Sequence, residues 1–172
     1  MSPILTPHTL DFFSHSPAQT RRVAARLATL LRAGDVVCLE GELGTGKTCF
    51  VQGMGRGLDV KVPVKSPSFT LINEYPATPP FPPLYHIDLY RIKSVEAALA
   101  IGIEEYLYGE GICAIEWAER VRGIIPPACL WITLRHLNET KRNLVMQANG
   151  ERYEILIQQF RALAFGHVSS QA

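Results

Sequence analysis

The sequence predicts an α/β fold of the P-loop type, and three observations carry that prediction. Gly41-Glu42-Leu43-Gly44-Thr45-Gly46-Lys47-Thr48 matches G-x-x-x-x-G-K-[ST], the phosphate-binding loop. Val36-Val37-Cys38-Leu39 before it is a short apolar, β-branched run that reads as a buried strand, and Lys47 to Leu58 after it puts Phe50, Val51, Met54 and Leu58 on one face of a helix. Two later runs, Leu84 to Asp88 and Gly111 to Glu116, are again strand-like, and each ends in an acid. Ligands of open α/β sheets bind at those strand ends. With average composition, the four fixed positions of the loop recur by chance in roughly 0.5 % of chains this long, so the match outweighs an ordinary glycine turn.

The remaining elements follow in order. Ser16-Pro17-Ala18-Gln19 starts a helix: serine caps, proline suits the first turn, and Gln19 completes a capping box. Val23, Ala24, Leu27, Ala28 and Leu31 continue it at helical spacing until Gly34 stops it. This helix reads mainly as packing on the sheet, with Ser16 and Thr20 near its start within reach of a nucleotide base. Ser66-Pro67-Ser68-Phe69-Thr70 is a turn with three hydroxyls, followed by an apolar run from Leu71 to Tyr75. Pro76 to Pro83 is a proline-rich loop. Ser94 caps an alanine-rich helix to Ala100, Gly102 breaks it, and Glu104 to Leu107 adds a turn. Leu130 to Leu134 and Leu144 to Gln147 read as antiparallel strands around a polar turn at 138–142. Tyr153, Leu156, Ile157, Phe160 and Leu163 mark a closing amphipathic helix. Residues 1–165 form one domain in this reading, and 166–172 a disordered tail.

Composition bounds the function classes. The chain has 172 residues, enough for one good core, with 47 % hydrophobic residues and a net charge of +1. Mean hydropathy is +0.08. That balance lacks the basic footprint of direct nucleic-acid or membrane binding. Cys38, Cys49, Cys113 and Cys129 show no zinc or C-x-x-C spacing, and Cys38 and Cys113 read as small core residues. No secretory leader or membrane span is expected, so the chain reads as cytoplasmic.

The loop's residue types state their chemistry. Glycines let the backbone approach a polyphosphate closely, and the N–H groups from Glu42, Leu43, Gly44, Thr45 and Gly46 onward form an anion cradle at a helix N-terminus. Lys47 reaches the β- and γ-phosphates of a nucleotide, and the Thr48 hydroxyl binds Mg²⁺. The segment after the first helix often senses the γ-phosphate, which makes Ser68 and Thr70 candidates for such contacts or parts of an ordinary turn. Asp88 and Glu116 at two strand ends complete a plausible Mg²⁺ and water site. The residues alone leave open which acid takes the metal. His86 and Trp117 read more naturally as packing residues, and Arg91 as a phosphate contact or a solvated charge.

Four segments together resemble the TsaE family, small bacterial ATPases of tRNA threonylcarbamoyladenosine formation. They are the GELGTGKT loop, Ser66 to Thr70, His86-Ile87-Asp88-Leu89-Tyr90-Arg91, and Ile115-Glu116-Trp117-Ala118-Glu119. The resemblance runs from about Ser16 to Leu134. It implies a P-loop NTPase, a three-layer sandwich with a mixed, largely parallel sheet flanked by helices. It further implies that Thr48 and Glu116 hold Mg²⁺ while Asp88 supports the metal or the attacking water. Its partners would be the TsaD and TsaB proteins, with tRNA reached only through them and ATP hydrolysis resetting their complex. One departure is Ser68, where the family's Ser-Pro-Thr has threonine; the hydroxyl survives. A small-molecule kinase transferring the ATP γ-phosphoryl group is the alternative, but it needs cations for the acceptor, and Arg91, Arg120 and Arg122 are the few in view. A nucleotide-binding scaffold without hydrolysis is the third reading, against which the two acids argue.

Overall fold

Side-chain alternation along the strands and the helical period along the helices decide which residues meet. The structure, a computed structural model, describes residues 3–166. Its elements are β1 (Ile4–Leu5), β2 (Thr9–Ser14), α1 (Pro17–Ala28), β3 (Val36–Glu40), α2 (Lys47–Gly57), β4 (Ile72–Tyr75), β5 (Leu84–Asp88), α3 (Val95–Ala100), α4 (Ile103–Leu107) and β6 (Ile112–Glu116). A 3₁₀ segment (Ala118–Ile124), β7 (Cys129–His136), β8 (Arg142–Asn149) and α5 (Glu151–Phe165) follow. Residues 167–172, most of the expected tail, lie outside the described residues.

The strands form one eight-stranded sheet in the order β1-β2-β8-β7-β3-β6-β5-β4. Only β7, β3, β6 and β5 run parallel; the pairs β1–β2, β2–β8, β8–β7 and β5–β4 are antiparallel. The sheet is mixed, as expected, but not largely parallel: a hairpin and an N-terminal strand extend one edge. β2 escaped the sequence reading, yet Leu10, Phe12 and Ser14 are buried and alternate with half-buried neighbours.

Each face of the sheet carries its own core, which makes three layers. Val37 and Leu39 of β3, Ile112 and Ala114 of β6, and Leu130, Ile132 and Leu134 of β7 pack against Leu27, Phe50, Met54 and Phe160 from α1, α2 and α5. The alternate residues Val36, Cys38, Cys113, Ile115 and Trp131 pack against Ile103, Leu107 and Val121. Cys38 and Cys113 are buried there, in line with their reading as core residues. Full burial of a side chain such as Phe50 contributes about 1.5–3 kcal/mol. α1 and α2 lie close enough that a Cβ at Gly53 would strike the Ala24 side chain at 2.7 Å.

Local starts and stops differ from expectation in detail. Ser16 caps α1, its hydroxyl accepting from the Gln19 N–H at 3.1 Å. Gln19 reaches back one residue further than a capping box, to the His15 N–H at 2.7 Å. α1 ends at Ala28, short of Leu31, and Gly34 at φ +88° instead turns the chain into β3. The C-terminal residues lock onto this strand: Arg152 of α5 pairs with Asp35 at 2.7 Å, and the Tyr153 hydroxyl accepts from the Val36 N–H at 2.9 Å.

Candidate functional site

The loop between β3 and α2 is shaped by its glycines. Gly44 and Gly46 stand at φ +76° and +105°, backbone that a side chain would strain, and Gly46 precedes the first residue of α2. The Thr45 hydroxyl closes the turn by donating to the Glu42 carbonyl at 2.8 Å. First-turn N–H groups of a helix have no partner within it and carry the positive end of its dipole. A cleft of about 510 Å³ opens above them, lined by Leu43, Gly44, Thr45, Gly46, Lys47 and Thr48. That volume suits a small-molecule ligand.

Lys47 is buried and folded back on its own loop. Its ammonium donates to the carbonyls of Gly41 and Glu42, the latter at 2.9 Å, and lies 4.3 Å from the centroid of the Trp117 ring. Burial pulls its pKa down, while Glu116, Glu119 and Asp88 nearby pull it up.

The two acids enter the same cleft from adjacent strands. β6 lies between β3 and β5, with Glu116 in register with Leu39 on one side and Asp88 on the other. Because strand residues alternate, Leu84, His86 and Asp88 share one face of β5, and Ala114 and Glu116 the same face of β6. Thr48 Oγ1 lies 2.9 and 3.0 Å from the two Glu116 carboxylate oxygens. His86 Nε2 lies 2.5 Å from Glu116 Oε2. Asp88 has different neighbours: Oδ1 accepts from the Tyr90 N–H at 2.9 Å and Oδ2 from the Ser66 hydroxyl at 3.1 Å.

Other expected residues are placed less centrally. Glu42 offers its carbonyl to Lys47, and the residue lines a separate hollow with Glu40 and Glu119. Thr70 is absent from the cleft lining, and its hydroxyl donates to Asn73 Oδ1 at 2.9 Å. Ser68 does line the cleft, 3.1 Å from Ser66 Oγ. Thr20 also lines it, although its hydroxyl is 2.6 Å from Ser14 Oγ. Arg91 lines the cleft 4.8 Å from the Phe69 ring, whereas Arg122 is paired with Glu40 at 2.9 Å. Trp117 is more than packing, standing at φ +61° with Lys47 on one ring and Arg120 5.0 Å from its centroid.

Sequence reasoning passed over Ser66 and Arg142. Arg142, from the hairpin between β7 and β8, donates to the Gly44 carbonyl at 3.2 Å and lines the cleft with Thr140. His136 of the same hairpin meets the Leu43 carbonyl at 3.2 Å. Nothing in local spacing announces these contacts, since they depend on the antiparallel edge of the sheet.

Taken together, the glycine loop, its lysine and the paired strand-end acids make this an α/β protein whose cleft lies at the carboxyl edge of its parallel strands. Residues 14–144 match the family model described as threonylcarbamoyl adenosine biosynthesis protein TsaE. The chain therefore belongs to the TsaE family. Among curated relatives, it is 38 % identical over 144 residues to the tRNA threonylcarbamoyladenosine biosynthesis protein TsaE of Bacillus subtilis, covering 84 % of this chain and 89 % of that one. It is 41 % identical over 133 residues to the protein of the same name from Treponema pallidum, covering 77 % and 96 %. The crystal structure of Bacillus subtilis YdiB superposes with a TM-score of 0.76 at 34 % identity, covering 88 % of this chain and 93 % of that one. Among the described residues, no helix is long and apolar enough to cross a membrane.

Proposed function

We propose that this protein is a P-loop ATPase that binds ATP with Mg²⁺ in the cleft and hydrolyses it in support of tRNA threonylcarbamoyladenosine formation. Its partners are the TsaB and TsaD proteins, whose complex the hydrolysis resets, and tRNA is met only through them, in the cytoplasm. Family membership supports the pathway, because the relatives carry that role in their names. One observation carries the chemistry: Thr48 on the first turn of α2 meets Glu116 at the end of β6 at 2.9 Å, with Asp88 in register beside it.

The donor set fits Mg²⁺, which takes hard oxygens from one or two carboxylates and completes its shell with phosphate oxygens and water. Thr48 and Glu116 leave most of the octahedral shell open, which phosphate oxygens of the nucleotide and water would complete. Thr48 and Glu116 would hold the ion, which when bound neutralises charge on the transferring phosphoryl group. The amides of residues 42–48 grip the phosphates. Lys47 exchanges the Gly41 and Glu42 carbonyls for phosphate oxygens, and Asp88 supports the metal or orients the attacking water.

Incubation with ATP, with and without purified TsaB and TsaD, tests the reading. ADP release that is slow alone and rises with the partners is the expected result. Phosphorylation of an added nucleoside or sugar would make the protein a kinase instead, and nucleotide-dependent assembly without ADP release would make it a scaffold.

A further inference from the structure

His86 is fully buried in β5, and its imidazole has one partner among the described residues. Nε2 faces Glu116 Oε2 at 2.5 Å, while Nδ1, also buried, has none. A nitrogen that faces a carboxylate oxygen carries its hydrogen, so Nε2 is the donor. Buried polar groups are normally satisfied; the sheet positions around His86 hold Leu84, Ile112 and Ala114, with Asn73 of β4 opposite it in register and Asp88 next on its own face. The ring does not line the cleft, so it touches neither nucleotide nor attacking water. What it does reach is the carboxylate that also receives Thr48 Oγ1 at 2.9 Å.

We infer that His86 is a positioning residue for the magnesium site, holding the Glu116 carboxylate in the orientation that presents it, together with the Thr48 hydroxyl, to the ion. Three elements are thereby tied in a row: the first turn of α2, the end of β6 and the middle of β5. The inference rests on the reading of the cleft as an ATP and Mg²⁺ site. Groups that orient a metal-binding side chain from behind typically change metal affinity by about 10- to 100-fold when removed.

Two substitutions at this position separate orientation from packing. In His86→Gln the amide nitrogen reaches about as far as Nε2 and can donate to Glu116; in His86→Asn it stops short. ATP affinity is measured by calorimetry at stepped Mg²⁺ concentrations for the wild type and both variants. The Mg²⁺ concentration that gives half the tightening of ATP binding should rise about 10- to 100-fold in His86→Asn and stay much closer to wild type in His86→Gln. ATP affinity without Mg²⁺ should be alike in all three. Equal shifts in the two variants, or none in either, would overturn the positioning role. A wild type whose ATP binding ignores Mg²⁺ would remove the metal reading itself, and this inference with it. If either variant fails to fold, nitrogen NMR of the wild-type imidazole decides without substitution. The Nε2–H resonance should move when ADP and Mg²⁺ are added together and hold still with ADP alone; an indifferent resonance overturns the proposal.

Discussion

The ends of β6 and β5 are neighbours in register, each closing on a carboxylate, yet the two acids are held in different ways. Glu116 is 3 % exposed and clamped between Thr48 on α2 and His86 on β5, parts of the packed frame. Asp88 is 8 % exposed and answers to Ser66 and the Tyr90 N–H, in segments outside helix and strand. Ser66 belongs to a stretch that also carries Phe69, 86 % exposed, and Leu71 at φ +66°. One acid is thus fixed to the packed frame that bears the glycine loop. The other is coupled to the surface segment at residues 66–71. If the proposed function holds, metal retention falls to the first acid and communication with the cleft's surroundings to the second.

The largest expected break in this contrast is Glu116→Gln. The amide oxygen still accepts from His86, so stability measured by chemical denaturation should change by no more than about 1 kcal/mol. Loss of the charge removes several kcal/mol of metal-dependent stabilisation, and turnover should fall on the order of 100-fold or more. Unfolding of the variant with turnover per folded molecule intact would make Glu116 structural. Lys47→Ala comes next. Charge-assisted hydrogen bonds are worth about 1.5–3 kcal/mol, so ATP affinity in calorimetry should fall about 10- to 150-fold. Unchanged affinity would remove Lys47 from the phosphate site.

Much of this frame was legible before any coordinates. The strand, loop and helix around residues 36–58 declare themselves through β-branched residues, glycines and helical spacing, because each signal is local. The acids at 88 and 116 were legible as neighbouring strand ends facing one site, but their register, Asp88 opposite Glu116, is a property of the assembled sheet. For the same reason the His86–Glu116 pair was hidden: alternation places His86 and Asp88 on one face, but only the neighbouring strand reveals what His86 meets. β2 stayed out of view because its six residues are flanked by Pro7 and interrupted by Asp11. The largely parallel sheet that the resemblance implies leaves out the antiparallel edge that β2 and β8 build. Arg142 was lost with that edge, since its place over Gly44 follows from how the hairpin lies on the sheet.

The smaller effects fall in the segment beside Asp88, and two hydroxyls only four residues apart sharpen the contrast there. Ser66 donates to Asp88 at 3.1 Å, so Ser66→Ala costs that acid one hydrogen bond, about 0.5–1.5 kcal/mol. Partner-stimulated ADP release should drop about 2- to 12-fold, with metal dependence as in the wild type, because the Glu116 clamp is untouched. Thr70 is exposed and donates to Asn73, outside the cleft lining. Thr70→Val keeps its shape and β-branching, and an exposed substitution of this kind is worth about 0.5 kcal/mol or less, under about 2-fold in rate. A large loss in Thr70→Val would mean that the segment swings its hydroxyl into the cleft when nucleotide binds, restoring the contact that the sequence motif suggested. A large loss in Ser66→Ala confined to the Mg²⁺ requirement would place Asp88, too, on the metal. Equal and small losses in both would leave Asp88 to act without help from this segment, and the distinction between the two acids would then rest on Glu116 alone.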